Sequence, residues 1–291
     1  MAVPHSVCVA ARDSLATVAD AEHLAIAHRS EGLSYNALLS ILARKVDAHV
    51  KATIGHHRRP EVAREYVRRF EAGESLLTLA TSVELPPTML ARVVLESRLG
   101  LRKGREVGQL LRQPQLIPGD SDGATARLRR DVALAVDGDP HCGPHIDTCR
   151  RLAGLEYEVL LAQKLRALGV PFLAEESLRQ RGDAKTPDAL LPVPLLVRGR
   201  VVHWIDSKAT FGDAESHAEY RATQFASYLH RFDAGLVLYW FGYDASIDTD
   251  PRLVLDDDLR AGDCELITAC VGVRGDRIAT RASSTPGTMP T

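Results

Sequence analysis

The chain has 291 residues, 45% of them hydrophobic and 25% charged, enough for two ordinary domains with cores that need no disulfide or metal staple, and this excludes collagen, coiled-coil and low-complexity architectures. No run approaches the roughly 18 to 20 apolar residues of a membrane helix, the first residues lack a basic end followed by an apolar core, and five irregularly placed cysteines (Cys8, Cys142, Cys149, Cys264, Cys270) do not form a secreted framework. The net charge of -2 divides unevenly: residues 1–112 carry 16 Lys+Arg against 12 Asp+Glu, hence +4, whereas 113–291 carry 20 against 26, hence -6.

In chain order, residues 34–53 place Leu38, Leu39, Ile41, Leu42, Val46 and Val50 at helical spacing, with Ser34 as the cap. A second helix over 60–72 carries Val62, Tyr66, Val67 and Phe70 on one stripe and ends at Gly73. Residues 75–81 form a short helix, 82–85 a turn, and Pro86 or Pro87 opens a helix with Leu90, Ala91, Val94 and Leu95. This is helix-turn-helix grammar, so residues 1–112 read as a helical region. Its positive excess near Arg58 and Arg59, with Arg92 on the second helix of the pair, suits phosphate anchoring better than base reading. Residues 113–140, rich in Pro, Gly, Asp and Arg, read as a linker or insertion.

A long helix over 146–168 is expected to bury Leu152, Leu155, Val159, Leu160, Leu165 and Leu168. Two apolar runs, 189–197 and 201–205, joined by Arg198-Gly199-Arg200, make a β-hairpin. Residues 211–232 are helical, 235–241 a buried strand and 253–255 a further one. Residues 141–275 thus read as an α/β domain with a mixed sheet flanked by helices, and 276–291 as a disordered tail.

The hairpin's second strand runs into Asp206-Ser207-Lys208, and residues two apart on a strand share a face. Asp188, at the start of the hairpin, lies beside Asp206 across the strand pair. Two convergent carboxylates repel unless a divalent cation joins them, and oxygen-only ligands suit Mg²⁺ or Mn²⁺. The implied chemistry is metal-assisted phosphodiester hydrolysis, with Lys208 orienting or activating the water.

Asp188 with Asp206-Ser207-Lys208 is similar to the PD-(D/E)xK nuclease signature. The longer strings Lys185-Thr186-Pro187-Asp188 and His203-Trp204-Ile205-Asp206-Ser207-Lys208-Ala209-Thr210-Phe211-Gly212-Asp213 closely resemble the TPD-motif family, the codanin-interacting nuclease group. That likeness extends over Gly154-Leu155-Glu156-Tyr157-Glu158, Gln224-Phe225-Ala226-Ser227-Tyr228 and Leu236-Val237-Leu238-Tyr239-Trp240, and to the helix-turn-helix between Gly73 and Arg92. The resemblance implies a restriction-endonuclease-like sheet, Asp188 and Asp206 as metal ligands with the main chain of Ser207, and Lys208 as the catalytic lysine. It also implies Glu158, or alternatively Glu156, as a helix-borne acid, and Gln224 as a polar residue near the substrate phosphate. A codanin-like protein partner, DNA as the nucleic acid, and a nuclear setting, with or without a cytoplasmic one, follow from the same resemblance. A homodimer is left open. The rival readings are a non-catalytic scaffold that keeps the nuclease fold, and a DNA-binding adaptor that works through protein partners.

Three further patterns have plainer readings. His141, Cys142, His145 and Cys149 fit no common zinc spacing. Asp213 is placed to cap the helix that follows it. Tyr239-Trp240-Phe241 reads as core rather than as a base-stacking platform.

Overall fold

A computed structural model describes residues 1–101, 104–119, 123–182 and 184–267. The proposed tail at 276–291 and Cys270 lie outside these residues. The chain forms two units, one of Met1–Ser14, Asp20–Leu38 and the residues from Ala153 onward, the other of Leu15–Ala19 and Leu39–Leu152. The division differs from the one read in the sequence, because the N-terminal segment joins the sheet-bearing unit.

In chain order the strands of the sheet-bearing unit are β1 (Ala2–Val3), β2 (Leu173–Ala174), β3 (Ala189–Val197), β4 (Arg200–Lys208), β5 (Gly235–Tyr239), β6 (Tyr243–Asp244), β7 (Leu253–Asp256) and β8 (Cys264–Leu266). Strands β1 and β6 pair in parallel as a separate ribbon. The main sheet runs β2-β3-β4-β5-β7, with β8 on β3; β3 is antiparallel to its neighbours, whereas β4, β5 and β7 are mutually parallel. This is the expected mixed sheet. The β3–β4 turn uses Arg198 and Gly199 at φ 48° and 77°, a two-residue connection whose twist matches the strands it joins. Pro192 and Pro194 lack donors for the ladder, and here the register slips between Leu190 and Leu195.

Alternate residues of the sheet feed two cores. Leu161 and Leu165 of the Pro144–Ala167 helix pack with Ile205, Leu236 and Leu238. Phe225, Tyr228 and Leu229 pack with Trp204, Val237 and Tyr239 on the other face. Gly235 pairs with Trp204, and a Cβ there would lie 2.0 Å from the indole, so glycine lets the ring cross the neighbouring strand. The expected burial of Leu152, Leu155 and Val159 is corrected: they are 53%, 46% and 56% exposed. At roughly 100° per residue, Leu161 and Leu165 lie on the opposite side of the helix from Leu152.

In the helical unit, Tyr35–His57 begins within the other unit's segment with Ser34 Oγ accepting from the Ala37 N–H at 3.1 Å. Pro60–Glu71, Leu76–Ser82 and Pro87–Leu99 follow as expected, and Ser75 caps the short helix. The linker over 113–140 is a correction. It contains the helix Gly123–Asp137, whose Leu128, Val132, Ala135 and Val136 enter the core beside Phe70, Leu79, Leu90 and Val94. Arg127 lies 4.4 Å over the Phe70 ring and donates to the Glu74 carbonyl.

Beyond this helix, buried Asp139 organises the turn. Its Oδ1 accepts from the His141 and Cys142 main chains, and its Oδ2 from Thr88 N–H at 2.9 Å. Pro87 has no N–H, so Thr88 carries the first donor of Pro87–Leu99, and Asp139 supplies its cap from 51 residues away. Asp139→Ala is expected to destabilise the protein by about 3 kcal/mol, since one buried and two half-buried donors lose one acceptor. Urea unfolding checks this, and a variant within about 0.5 kcal/mol of the parent would contradict it.

Candidate functional site

The register of the sheet brings the acids together. Ala189 pairs with Ile205 and Ala174 with Ala189, so one antiparallel step further Asp188 faces Asp206 on one side and Glu175 on the other. The Ser207 N–H donates to Asp188 Oδ2 at 2.6 Å. Strand β4 runs through Lys208, longer than the apolar run in the sequence, and the parallel β5 supports Ser207 and Lys208 opposite Leu238 and Tyr239.

Asp206 is 2% exposed and forms an ion pair with the Lys208 ammonium. Burial pushes the Asp206 carboxyl up, against the attraction of Lys208. Burial, and then the charge of Asp206, hold Asp188 well above the usual carboxylate range. For Lys208, burial works against the charged form, yet Asp206 prevails and its affinity for the proton is raised.

The helical run after β4 completes the lysine's surroundings. Asp213 caps it in a reciprocal box with Ser216. Between Ala214–Tyr220 and Ala226–Phe232 the chain makes a π turn over Arg221–Phe225, whose i to i+5 spacing turns Tyr220 and Phe225 to a common side. Lys208 Nζ lies 4.9 Å from the Tyr220 ring and 5.7 Å from that of Phe225, and donates to Gln224 Oε1 at 2.9 Å. Gln224, singled out in the sequence, therefore reaches the site through a turn that its local sequence does not announce.

Glu158 shares the buried side of its helix with Leu161 and Leu165. Burial, then the charges of Glu175 and Asp206, raise its carboxyl. Glu156, two residues earlier, is exposed; of the two acids, Glu158 is the one in electrostatic reach of the strand end. Glu175 is the residue the sequence reading missed. Its Oε1 accepts from Thr186 Oγ1 at 3.2 Å and from Arg179 at 2.7 Å, while the Tyr228 hydroxyl donates to the Thr186 carbonyl at 2.8 Å. Its place opposite Asp188 comes from the β2–β3 pairing, which no local pattern announces.

Oxygen is the only donor type among Asp188, Asp206 and Glu158, which fits a hard divalent cation. Among the described residues no group of three or more His, Cys, Asp and Glu side chains is gathered as a metal shell. A cation here would draw on two carboxylates and complete its shell from main-chain, water or phosphate oxygens. The His141, Cys142, His145, Cys149 segment likewise holds no such group, and burial pushes the Cys142 thiol up to about 12.

Several basic residues of the helical unit are tied to acids. Arg58 pairs with Glu96 at 3.2 Å, Arg68 with Glu65, Arg69 with Glu74 and Arg98 with Glu71. Arg59 is exposed before Pro60, and half-buried Arg92 donates to the Gly104 carbonyl at 3.4 Å. The helix Pro87–Leu99 buries Thr88, Leu90, Ala91, Val93, Val94 and Leu95.

Residues 124–259 match the model of a family described as a protein of unknown function with a TPD sequence motif. The chain is 40% identical over 228 residues to CDAN1-interacting nuclease 1 of Danio rerio, covering 74% of each chain. It is 39% identical over 227 residues to the Xenopus laevis protein of that name, covering 74% of this chain and 73% of the other. With the Homo sapiens protein the identity is 37% over 227 residues, covering 74% and 79%. No solved structure matches the chain.

His217 fastens the helix before the π turn to the sheet: its Nδ1 is 3.0 Å from the Tyr239 hydroxyl and its Nε2 2.9 Å from Thr249 Oγ1. Burial, and then Arg221, lower its proton affinity. Neutral His217 therefore stabilises the fold above the ordinary histidine range, and that contribution is lost as pH falls through it. His217→Gln is expected to flatten the decline in melting temperature between about pH 7.5 and 5.5 relative to the parent; parallel curves in differential scanning calorimetry would contradict this.

Proposed function

The chain belongs to the TPD-motif family, a family of nucleases tied to codanin, and from that membership we propose that it is a metal-dependent nuclease that hydrolyses phosphodiester bonds in nucleic acid with Asp188, Asp206 and Lys208, acting with a codanin-like protein partner. The observation that carries the reading is the meeting of two carboxylates and an ammonium at one strand end, with the Ser207 N–H on Asp188 and Lys208 on Asp206.

Asp188, Asp206 and the main-chain carbonyl of Ser207 would hold Mg²⁺ or Mn²⁺, with Glu158 contributing through water. When bound, the cation supplies Lewis acidity and lowers the pKa of a coordinated water. The protein's own groups do the positioning. Lys208, fixed by Asp206, Gln224 and two aromatic rings, presents a positive charge where charge develops on the phosphoryl oxygens and orients the attacking water. Gln224 accepts from Lys208 through its carbonyl oxygen, which leaves its amide N–H groups to donate to a phosphate oxygen. In the helical unit Arg59 and Arg92 serve as phosphate anchors, joined by Arg58 once its pair with Glu96 opens.

The full chain should cleave labelled branched, single-stranded or duplex DNA in Mg²⁺ or Mn²⁺. Asp206→Asn and Lys208→Ala should each lower the rate by at least about 100-fold, and Gln224→Ala by about tenfold. Cleavage that survives the first two substitutions unchanged would overturn the assignment.

A further inference from the structure

Of Tyr239-Trp240-Phe241, expected in the core, Tyr239 lies fully within it and Trp240 packs against the Leu161, Leu236 and Leu238 cluster while keeping part of its ring in water. Tyr239 and Trp204 are fully buried, whereas Trp240, Phe241 and Tyr157 are each half-exposed. These three rings touch one another at the edge of that cluster. Tyr157 stacks on Trp240 with centroids 5.3 Å apart and planes tilted by 36°, and meets Phe241 edge-on at 5.4 Å.

The group is fastened to the candidate site. Trp240 Nε1 donates to Ser207 Oγ at 2.7 Å, and the Trp240 main-chain N–H donates to the Lys208 carbonyl at 3.1 Å. Tyr157 precedes Glu158 on its helix. The rings therefore occupy the face to which Ser207 points, while Asp206 and Lys208 turn to the opposite face of the same strand end. Aromatic surface left partly in water beside a charged site is the composition of a surface that binds a flat apolar ring with polar edges.

We propose that Tyr157, Trp240 and Phe241 form a base-stacking platform that makes single-stranded nucleic acid the substrate class of the site. This rests on the nuclease reading above. A flexible single strand whose phosphate lies at Asp206 and Lys208 passes round the end of β4 to lay its neighbouring base on Trp240, and stacking there tolerates any sequence because every base has a π face. In a duplex each base is already stacked and paired, so the platform has nothing to receive until the strand is opened.

The test uses the full chain without divalent ions, so that binding is read apart from cleavage. The chain has two tryptophans, and Trp204 is fully buried, so emission quenched by a bound base reports Trp240. Oligothymidylate should quench the emission and bind at least about fivefold more tightly than the same strand paired with oligoadenylate. Trp240→Leu and, separately, Tyr157→Leu should weaken oligothymidylate binding by about five- to 100-fold, leave duplex binding unchanged and keep the Trp204 emission of the folded protein; Tyr157→Phe should retain binding. No quenching, equal affinity for the two forms, or no binding of oligothymidylate would overturn the platform. Quenching without any cleavage in Mg²⁺ or Mn²⁺ would support the platform and sink the nuclease reading, whereas cleavage without quenching would do the reverse.

Discussion

Two carboxylates brought face to face where the ends of β3 and β4 meet are the constraint around which the sheet-bearing unit is arranged. Burial, and then the charge of Asp206, raise the proton affinity of Asp188, and burial raises that of Asp206 against the attraction of Lys208. The fold offsets this with the Ser207 N–H on Asp188 and the Lys208 ammonium on Asp206. A buried charge pair of this kind is poor evidence for stability. It is better evidence for chemistry, since strongly shifted groups in mutual contact cluster at functional sites.

Much of the surrounding structure bears on where these groups stand. The tight Arg198-Gly199 turn starts the β3–β4 pairing, the slip at Pro192 and Pro194 interrupts it, and its far end sets Asp188 opposite Asp206. Glu175 and Tyr228 hold Thr186 from two sides, two residues before Asp188. The π turn supplies Gln224 and the two rings beside Lys208, and His217 ties the helix before that turn to Tyr239.

What was legible in the sequence was periodic or covalently close. The helices at 34–53, 60–72 and 75–81 announced themselves by apolar spacing and caps, and Asp206 and Lys208 by strand alternation. The helix Gly123–Asp137 was hidden because its apolar residues, Leu128, Val132, Ala135 and Val136, sit between Gly-, Asp- and Pro-rich flanks that read as loop. Exposed Leu152, Leu155 and Val159 looked like core because spacing fixes which residues share a face and not which face is covered. Glu175 and the Trp240 group depend on pairing between distant segments, and the π turn on tertiary packing, none of which a local pattern carries. The pairing of β1 with β6, which joins the N-terminus to the sheet-bearing unit, has the same origin.

The central claim, that Asp188 and Asp206 oppose one another at a site built for a cation, is tested most directly by melting the parent and Asp188→Asn with EDTA and with Mn²⁺. The account predicts that the variant melts higher than the parent in EDTA, because one repulsive charge is gone, and that Mn²⁺ raises the melting temperature of the parent but not of the variant. A variant that melts no higher in EDTA, together with a parent indifferent to Mn²⁺, would contradict it.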